Sequence, residues 1–166
     1  VGGYAYNGST FDFALARYSS DGNLDTTFGS GGKTTTDFGY GPDLISAMTV
    51  LDSGKILVAG YAYNGTDADF ALARYDADGT LNSTFGSGGK TTTDFGYGSD
   101  AAHALTVLNS GEILVGGYAY NGSTFDFALA RYGSDGNLDT TFGSGGKTTT
   151  DFGYGTDVIL AMTVLD

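Results

Sequence analysis

The apolar positions of this chain fall in short runs separated by glycine-bearing turns, a rhythm too quick for helices. From Asp100 to Leu108 the sequence DAAHALTVL is mostly apolar; Asn109-Ser110-Gly111 interrupts it, and Ile113 to Tyr120 resumes it as ILVGGYAY. Two such runs joined by a tight glycine turn predict a β-hairpin. Asn121-Gly122 then opens a short loop of the kind that favours positive φ, and Asp126 to Tyr132 (DFALARY) predicts a third strand. A loop rich in Asp, Gly and Asn leads through Gly145-Gly146 to Lys147 to Phe152 (KTTTDF), a polar fourth strand. Apolar residues at the 3.6 spacing of a helix are missing, so no helix is expected.

The polarity of these runs ranks them. The first three are apolar on both faces, as expected of strands sandwiched between neighbouring sheets, whereas the Lys-Thr-Thr-Thr strand suits a solvated edge. Along Ile56 to Tyr63 and Asp69 to Tyr75, the small residues Gly60, Ala62, Ala71 and Ala73 lie among Tyr61, Tyr63, Phe70 and Leu72. Sheets packed about 10 Å apart interdigitate large side chains with small ones in this way, so the aromatics are expected in a core between sheets. A four-stranded meander, apolar inside and wet outside, is the pattern of a β-propeller blade.

The pattern recurs. GYAYNG begins at Gly3, Gly60 and Gly117, giving a unit of 57 residues written three times: 1–57, 58–114 and 115–166, the last five residues short. Between 1–52 and 115–166 the only differences are Ser19/Gly133, Pro42/Thr156, Leu44/Val158 and Ser46/Leu160. The expected fold is therefore all-β, a propeller segment of three four-stranded antiparallel blades forming one repeat domain. Three blades do not close a ring, since propellers use about four to eight. The chain opens inside a second strand and stops just before a turn, as a segment of a longer array or a permuted design would. The run Asp157 to Leu165 can then pair with Val1 to Tyr6 of another copy, closing a ring of six blades or propagating as a filament. Further repeats of a longer parent chain would complete the ring covalently.

The stretches GKILVAGYAYNG, DFALARYDADGTLNSTFGSGGK and TTTDFG resemble the delta-60 repeat, a bacterial repeat family similar to β-propeller blades. D-F-A-L-A-R-Y, D-G-x-L and F-G-x-G-G-K stand in all three copies, so the resemblance spans the chain. It implies a propeller in large secreted or surface proteins of largely unknown function, with no catalytic residues to carry over.

Charge and composition narrow the partners. Nineteen acidic against 7 basic side chains give a formal charge of -12, which disfavours nucleic acid and anionic membrane surfaces and favours cations. No apolar run is long enough to insert in a membrane, and the opening residues lack the basic and apolar regions of a signal peptide. Cysteine is absent, which removes disulfides and thiolate metal sites. The 29 glycines match the turns.

Several groups are candidates for chemistry. Asp21, Asn23 and Asp25, repeated as Asp135, Asn137 and Asp139 and altered to Asp76 and Asp78 in the middle copy, offer oxygen ligands that suit calcium. The first reading of Asp-x-Asp-Gly is nonetheless turn chemistry, and no cofactor is required. Asn7, Asn64 and Asn121, like Asn82, satisfy the N-glycosylation pattern, while Asn-Gly is equally a turn signal. Arg17, Arg74 and Arg131 sit in an apolar strand five residues after an aspartate, with another such as Asp37 in the outer strand; a structural ion pair or carbonyl clamp is expected. Ser46, His103 and Leu160 vary between copies at the start of the innermost strand, where a central channel would have its rim and a ligand such as a glycan its site. Gly29-Ser30-Gly31-Gly32-Lys33 lacks the spacing of a phosphate loop, and a single variable histidine assembles no catalytic triad, so no enzyme is expected.

These readings favour a structural extracellular or cell-surface repeat protein that associates with itself, as a filament or a ring. The alternative is an adhesin or lectin-like propeller module that binds glycan or calcium.

Overall fold

The computed structural model describes residues 1–165. Among them are eleven strands and no helix: β1 (Gly2–Tyr6), β2 (Phe11–Ala16), β3 (Lys33–Thr36), β4 (Asp43–Val50), β5 (Ile56–Tyr63), β6 (Ala68–Tyr75), β7 (Lys90–Thr93), β8 (Asp100–Val107), β9 (Ile113–Tyr120), β10 (Phe125–Tyr132) and β11 (Lys147–Thr150). They form three antiparallel meanders in the orders β1-β2-β3, β4-β5-β6-β7 and β8-β9-β10-β11. The sheets run out of phase with the sequence units: the first two units each contain the first strand of the following sheet, β4 or β8, and end two residues into its second, β5 or β9.

Two differences from the expected strands stand at the ends of the chain. The first sheet has three strands, and β1 pairs only with β2. Residues 158–165 adopt no strand although the equivalent residues form β4 and β8. The segment is nevertheless placed against the third sheet: the Asp157 amide donates to the Phe125 carbonyl at 2.6 Å, that of Ile159 donates to Gly117 at 3.2 Å, and Ile159 is buried. A strand is defined by its ladder, and among the described residues no strand pairs with this segment.

Strand alternation explains why β5 and β6 are apolar on both faces. Side chains at i and i+2 share a face, so Val58, Ala71, Ala73 and Tyr75 turn towards Phe13, Leu15 and Phe28 of the first blade. Leu57, Ala59, Phe70 and Leu72 turn the other way, to Val115, Ala128, Ala130 and Tyr132. Large side chains on one sheet meet alanines on the next, as the sequence requires of interdigitated faces.

Each blade is also latched to the next by the same polar contacts, repeated one unit on. Tyr75 donates its hydroxyl to Thr36 Oγ1 at 2.7 Å, and Tyr132 donates to Thr93 Oγ1 at 2.8 Å. Burial raises both phenols, Tyr75 to about 12. The Gly29 amide donates to the Asp78 carbonyl and that of Gly86 to Asp135, both at 2.7 Å. The glycines Gly79 and Gly136 let Phe28 and Phe85 approach, since an added Cβ would stand 2.9 and 2.7 Å from the rings.

A closer approach occurs within the sheets. Between β4 and β5 the register slips at a β-bulge between Ile45 and Ala47, and β8 and β9 do the same between Ala102 and Ala104. There a Cβ on Gly60 would lie 1.8 Å from the Leu44 carbonyl oxygen, and one on Gly117 would lie 1.9 Å from that of Ala101. Only glycine fits these two positions.

Thr93 is 4 % exposed, so Tyr132→Phe strips a buried hydroxyl of its partner. The expected destabilisation is about 1–3 kcal/mol by chemical denaturation. A change within about 0.5 kcal/mol, the size of an ordinary surface substitution, would show that the hydroxyl pair does not couple the blades.

Candidate functional site

The acidic loops are built as turns. Asp21 accepts from the Ser19 hydroxyl and, at 2.8 Å, from Asn23 Nδ2. Asp135 accepts from the Asn137 amide at 3.0 Å and its side-chain nitrogen at 2.8 Å, and Asp78 accepts from the Thr80 amide at 3.0 Å. Asp25 and Asp139 take the Thr27 and Thr141 hydroxyls at 2.6 and 2.7 Å. These bonds hold the carboxyls below their usual range, chiefly through Ser19 for Asp21, Thr27 for Asp25, Thr80 for Asp78, Asn137 for Asp135 and Thr141 for Asp139. Asp76 accepts from Asn82 Nδ2 at 2.6 Å and stands 3.8 Å from Lys55 Nζ.

The arginines complete these loops. Arg17 Nε donates to Asp25 at 2.9 Å and Arg131 Nε to Asp139 at 2.8 Å; in the middle copy Arg74 Nη2 donates to Asn82 at 3.0 Å. Arg17 also reaches the Ala77 carbonyl at 2.5 Å, and Arg74 the Ser134 carbonyl at 2.6 Å, clamping the next blade. Arg17 is thus both ion pair and carbonyl clamp, Arg131 an ion pair and Arg74 a carbonyl clamp, and the carboxylate that Arg17 and Arg131 engage lies in the loop eight residues on and not at a strand aspartate such as Asp12 or Asp37.

The asparagines act as turn builders. Asn7 Oδ1 accepts from the amides of Ser9 and Thr10 at 2.8 and 3.0 Å, and Asn64 and Asn121 repeat the arrangement. Ser46 and His103 sit in the two bulges, Ser46 exposed and His103 half-buried with its ring 5.4 Å from that of Tyr118; burial lowers the imidazole. Leu160, at the equivalent place, is exposed.

The structure brings other aspartates together. Asp12, Asp37 and Asp43 form one cluster, Asp69, Asp94 and Asp100 a second, and Asp126, Asp151 and Asp157 a third, with one carboxylate oxygen of each residue within 4.8 Å of the others. The first two clusters lie where the chain crosses from one blade to the next, and the third stands at the equivalent place after β11. Asp12 comes from the second strand of a sheet, Asp37 from the exit of its outer strand, and Asp43 from the start of the next inner strand. Asp43 holds the crossing closed, accepting the Phe38 amide at 2.7 Å and that of Tyr63 at 3.3 Å; Asp100 does the same with Phe95 and Tyr120 at 2.7 and 3.2 Å. Asn7 and Asn121 each give their side-chain amide to both oxygens of Asp12 and Asp126.

Burial dominates the electrostatics. Desolvation raises Asp43 to about 6 and Asp100 to about 7, with neighbouring carboxylates adding to the effect, and it raises Asp69 as well. None of these aspartates takes part in an ion pair among the described residues. Sequence reasoning missed the clusters because their members are 25 and 6 positions apart. The available signal was an aspartate recurring inside otherwise apolar strands in every copy.

Four-stranded meanders stacked face to face, each inner strand packed on the preceding sheet, define a β-propeller architecture. Residues 1–28, 52–85 and 108–142 match a family described as a domain of unknown function (DUF5122) beta-propeller, and the chain, more than half of which is covered, belongs to that family. No curated protein was found to match it.

The raised carboxyls set a pH dependence. A carboxyl whose folded value exceeds its unfolded value of 3.8 costs the fold stability once ionised, so stability falls as pH rises from about 4 through about 7. The cation-free chain is therefore expected to melt several degrees higher at pH 5 than at pH 8. Carboxyl NMR titration should place Asp43 and Asp100 above Asp21 and Asp139; the reverse order would refute the assignment.

Proposed function

We propose that this chain is a structural repeat of an extracellular or cell-surface protein, of the delta-60 type, that builds its propeller by associating with further copies of itself. It carries no catalytic centre in this reading. The observation behind it is the pair of unmatched edges: β1 pairs on one side only, and residues 158–165 carry the sequence of an inner strand without a ladder. Val1, Tyr4 and Tyr6 at one end and Leu160 and Leu165 at the other are exposed, an apolar surface that association would cover. Carrying the β4–β5 register across by whole units pairs Asp157 with Ala5, Val158 with Tyr4, Ile159 with Gly3 and Ala161 with Gly2. The surplus negative charge suits a soluble surface array. Two copies closing head to tail make six blades, and a joint that fails to close propagates as a filament.

Gly3 gives the test. It occupies the position of Gly60 and Gly117, yet a Cβ placed on it meets nothing within 4 Å, because no inner strand covers it. In the joint the Val158 carbonyl of the second copy would press on it as Leu44 presses on Gly60. Gly3→Ala is expected to leave the single chain's melting temperature unchanged and abolish assembly, whereas Gly60→Ala costs about 3 kcal/mol or more. Light scattering should read twice the 17.0 kDa of one chain, or long polymers, for the parent and one chain for Gly3→Ala. A monomeric parent, or a Gly3→Ala variant that assembles normally, would refute the reading.

A further inference from the structure

We propose that Asp69, Asp94 and Asp100 form a binding site for a calcium-like divalent cation at the crossing between the second and third blades. The three carboxylates each place an oxygen within 4.8 Å of the others. Two oxygens bound to one Ca²⁺ at about 2.4 Å lie no more than about 4.8 Å apart, so a single hard cation can touch all three. Among the described residues no ammonium or guanidinium forms an ion pair with the group: Lys147 comes near, but its Nζ donates to the backbone carbonyl of Asp94 at 2.7 Å.

A second observation separates this cluster from an ordinary acidic patch. Asp69 is 5 % exposed, and its Oδ1 is buried without a hydrogen-bond partner. The cause is local. In the outer copies the asparagine amide serves both oxygens of Asp12 or Asp126, but Asn64 divides itself between Asp67 at 2.7 Å and Asp69 Oδ2 at 2.9 Å. A buried carboxylate oxygen left alone is costly, and a cation held by the neighbouring carboxylates supplies the missing partner. The donor set is all oxygen, which selects calcium-like ions over soft metals. Asp94 is exposed and leaves the site open to solvent. The loop aspartates Asp21 and Asp135 differ in this respect, since their oxygens are engaged in turn bonds.

Calorimetric titration of the chelator-treated chain with CaCl₂ at pH 8 tests the site. Asp94→Asn keeps an acceptor for the Gly96 amide while removing one charge, and Asp69→Asn serves as a second variant. The expected result is a calcium equivalent in the parent that weakens at least tenfold in both variants and is unchanged in Asp135→Asn. Calcium should also raise the melting temperature of the parent but not of Asp94→Asn, whose cation-free form should melt at or above the parent's. A parent that takes up no calcium, or an equivalent that survives Asp94→Asn and disappears in Asp135→Asn, would overturn the proposal.

Discussion

Everything in this molecule depends on sheets lying face to face, because no blade has a second layer of its own. A four-stranded meander exposes two apolar faces, and the only surfaces that can cover them are the neighbouring meanders. That constraint dictates the alternation of Phe70 and Leu72 with Ala71 and Ala73, which sends bulk one way and leaves room the other way. It also explains why the buried hydroxyl pairs and the aromatic-on-glycine contacts recur at both interfaces with a constant offset. An interface that works once can be copied, and here it has been copied with its polar latches intact.

The crossings between blades have a different character. A propeller must carry the chain from the outer edge of one sheet to the inner edge of the next, and the backbone amides exposed in that passage need acceptors. Asp43 and Asp100 fulfil this need by accepting two amides each. The same need draws negative charge into a partly buried place, beside a strand aspartate and a turn aspartate that are themselves engaged locally. Backbone satisfaction and charge repulsion are therefore opposed at each crossing, which makes it the most electrostatically stressed part of an otherwise apolar architecture.

Much of the fold could be read from the chain. Ile113–Tyr120 is bounded as the turn residues on either side predict, and the inner, doubly apolar character of β5 and β6 follows from their composition. The strand expected over Asp157 to Leu165 did not form, since residues with strand propensity still need a ladder partner and propensity cannot say whether one is available. Arg17 was legible as a clamp but not in its carboxylate, because Asp12 and Asp25 are both near in sequence and only the loop's fold brings Asp25 to Nε. The carboxylate clusters were illegible for a related reason. Asp37 and Asp43 are separated from Asp12 by a strand, a loop and an outer strand, and only the closure of the meander brings them together.

The near identity of the units has a consequence for how such a chain reaches its fold. Residues 43–51 and 157–165 differ only at Leu44/Val158 and Ser46/Leu160, so either segment meets the pairing requirements of β5, and so does the equivalent segment of any neighbouring molecule. Sequence complementarity then gives no address; chain connectivity and local concentration decide which inner strand arrives first. For such degenerate segments the landscape offers several mispaired states with nearly native contacts. Natural arrays that drift in sequence escape this degeneracy. A chain that has kept its copies alike relies on folding each blade against the one already made, in the order in which they emerge.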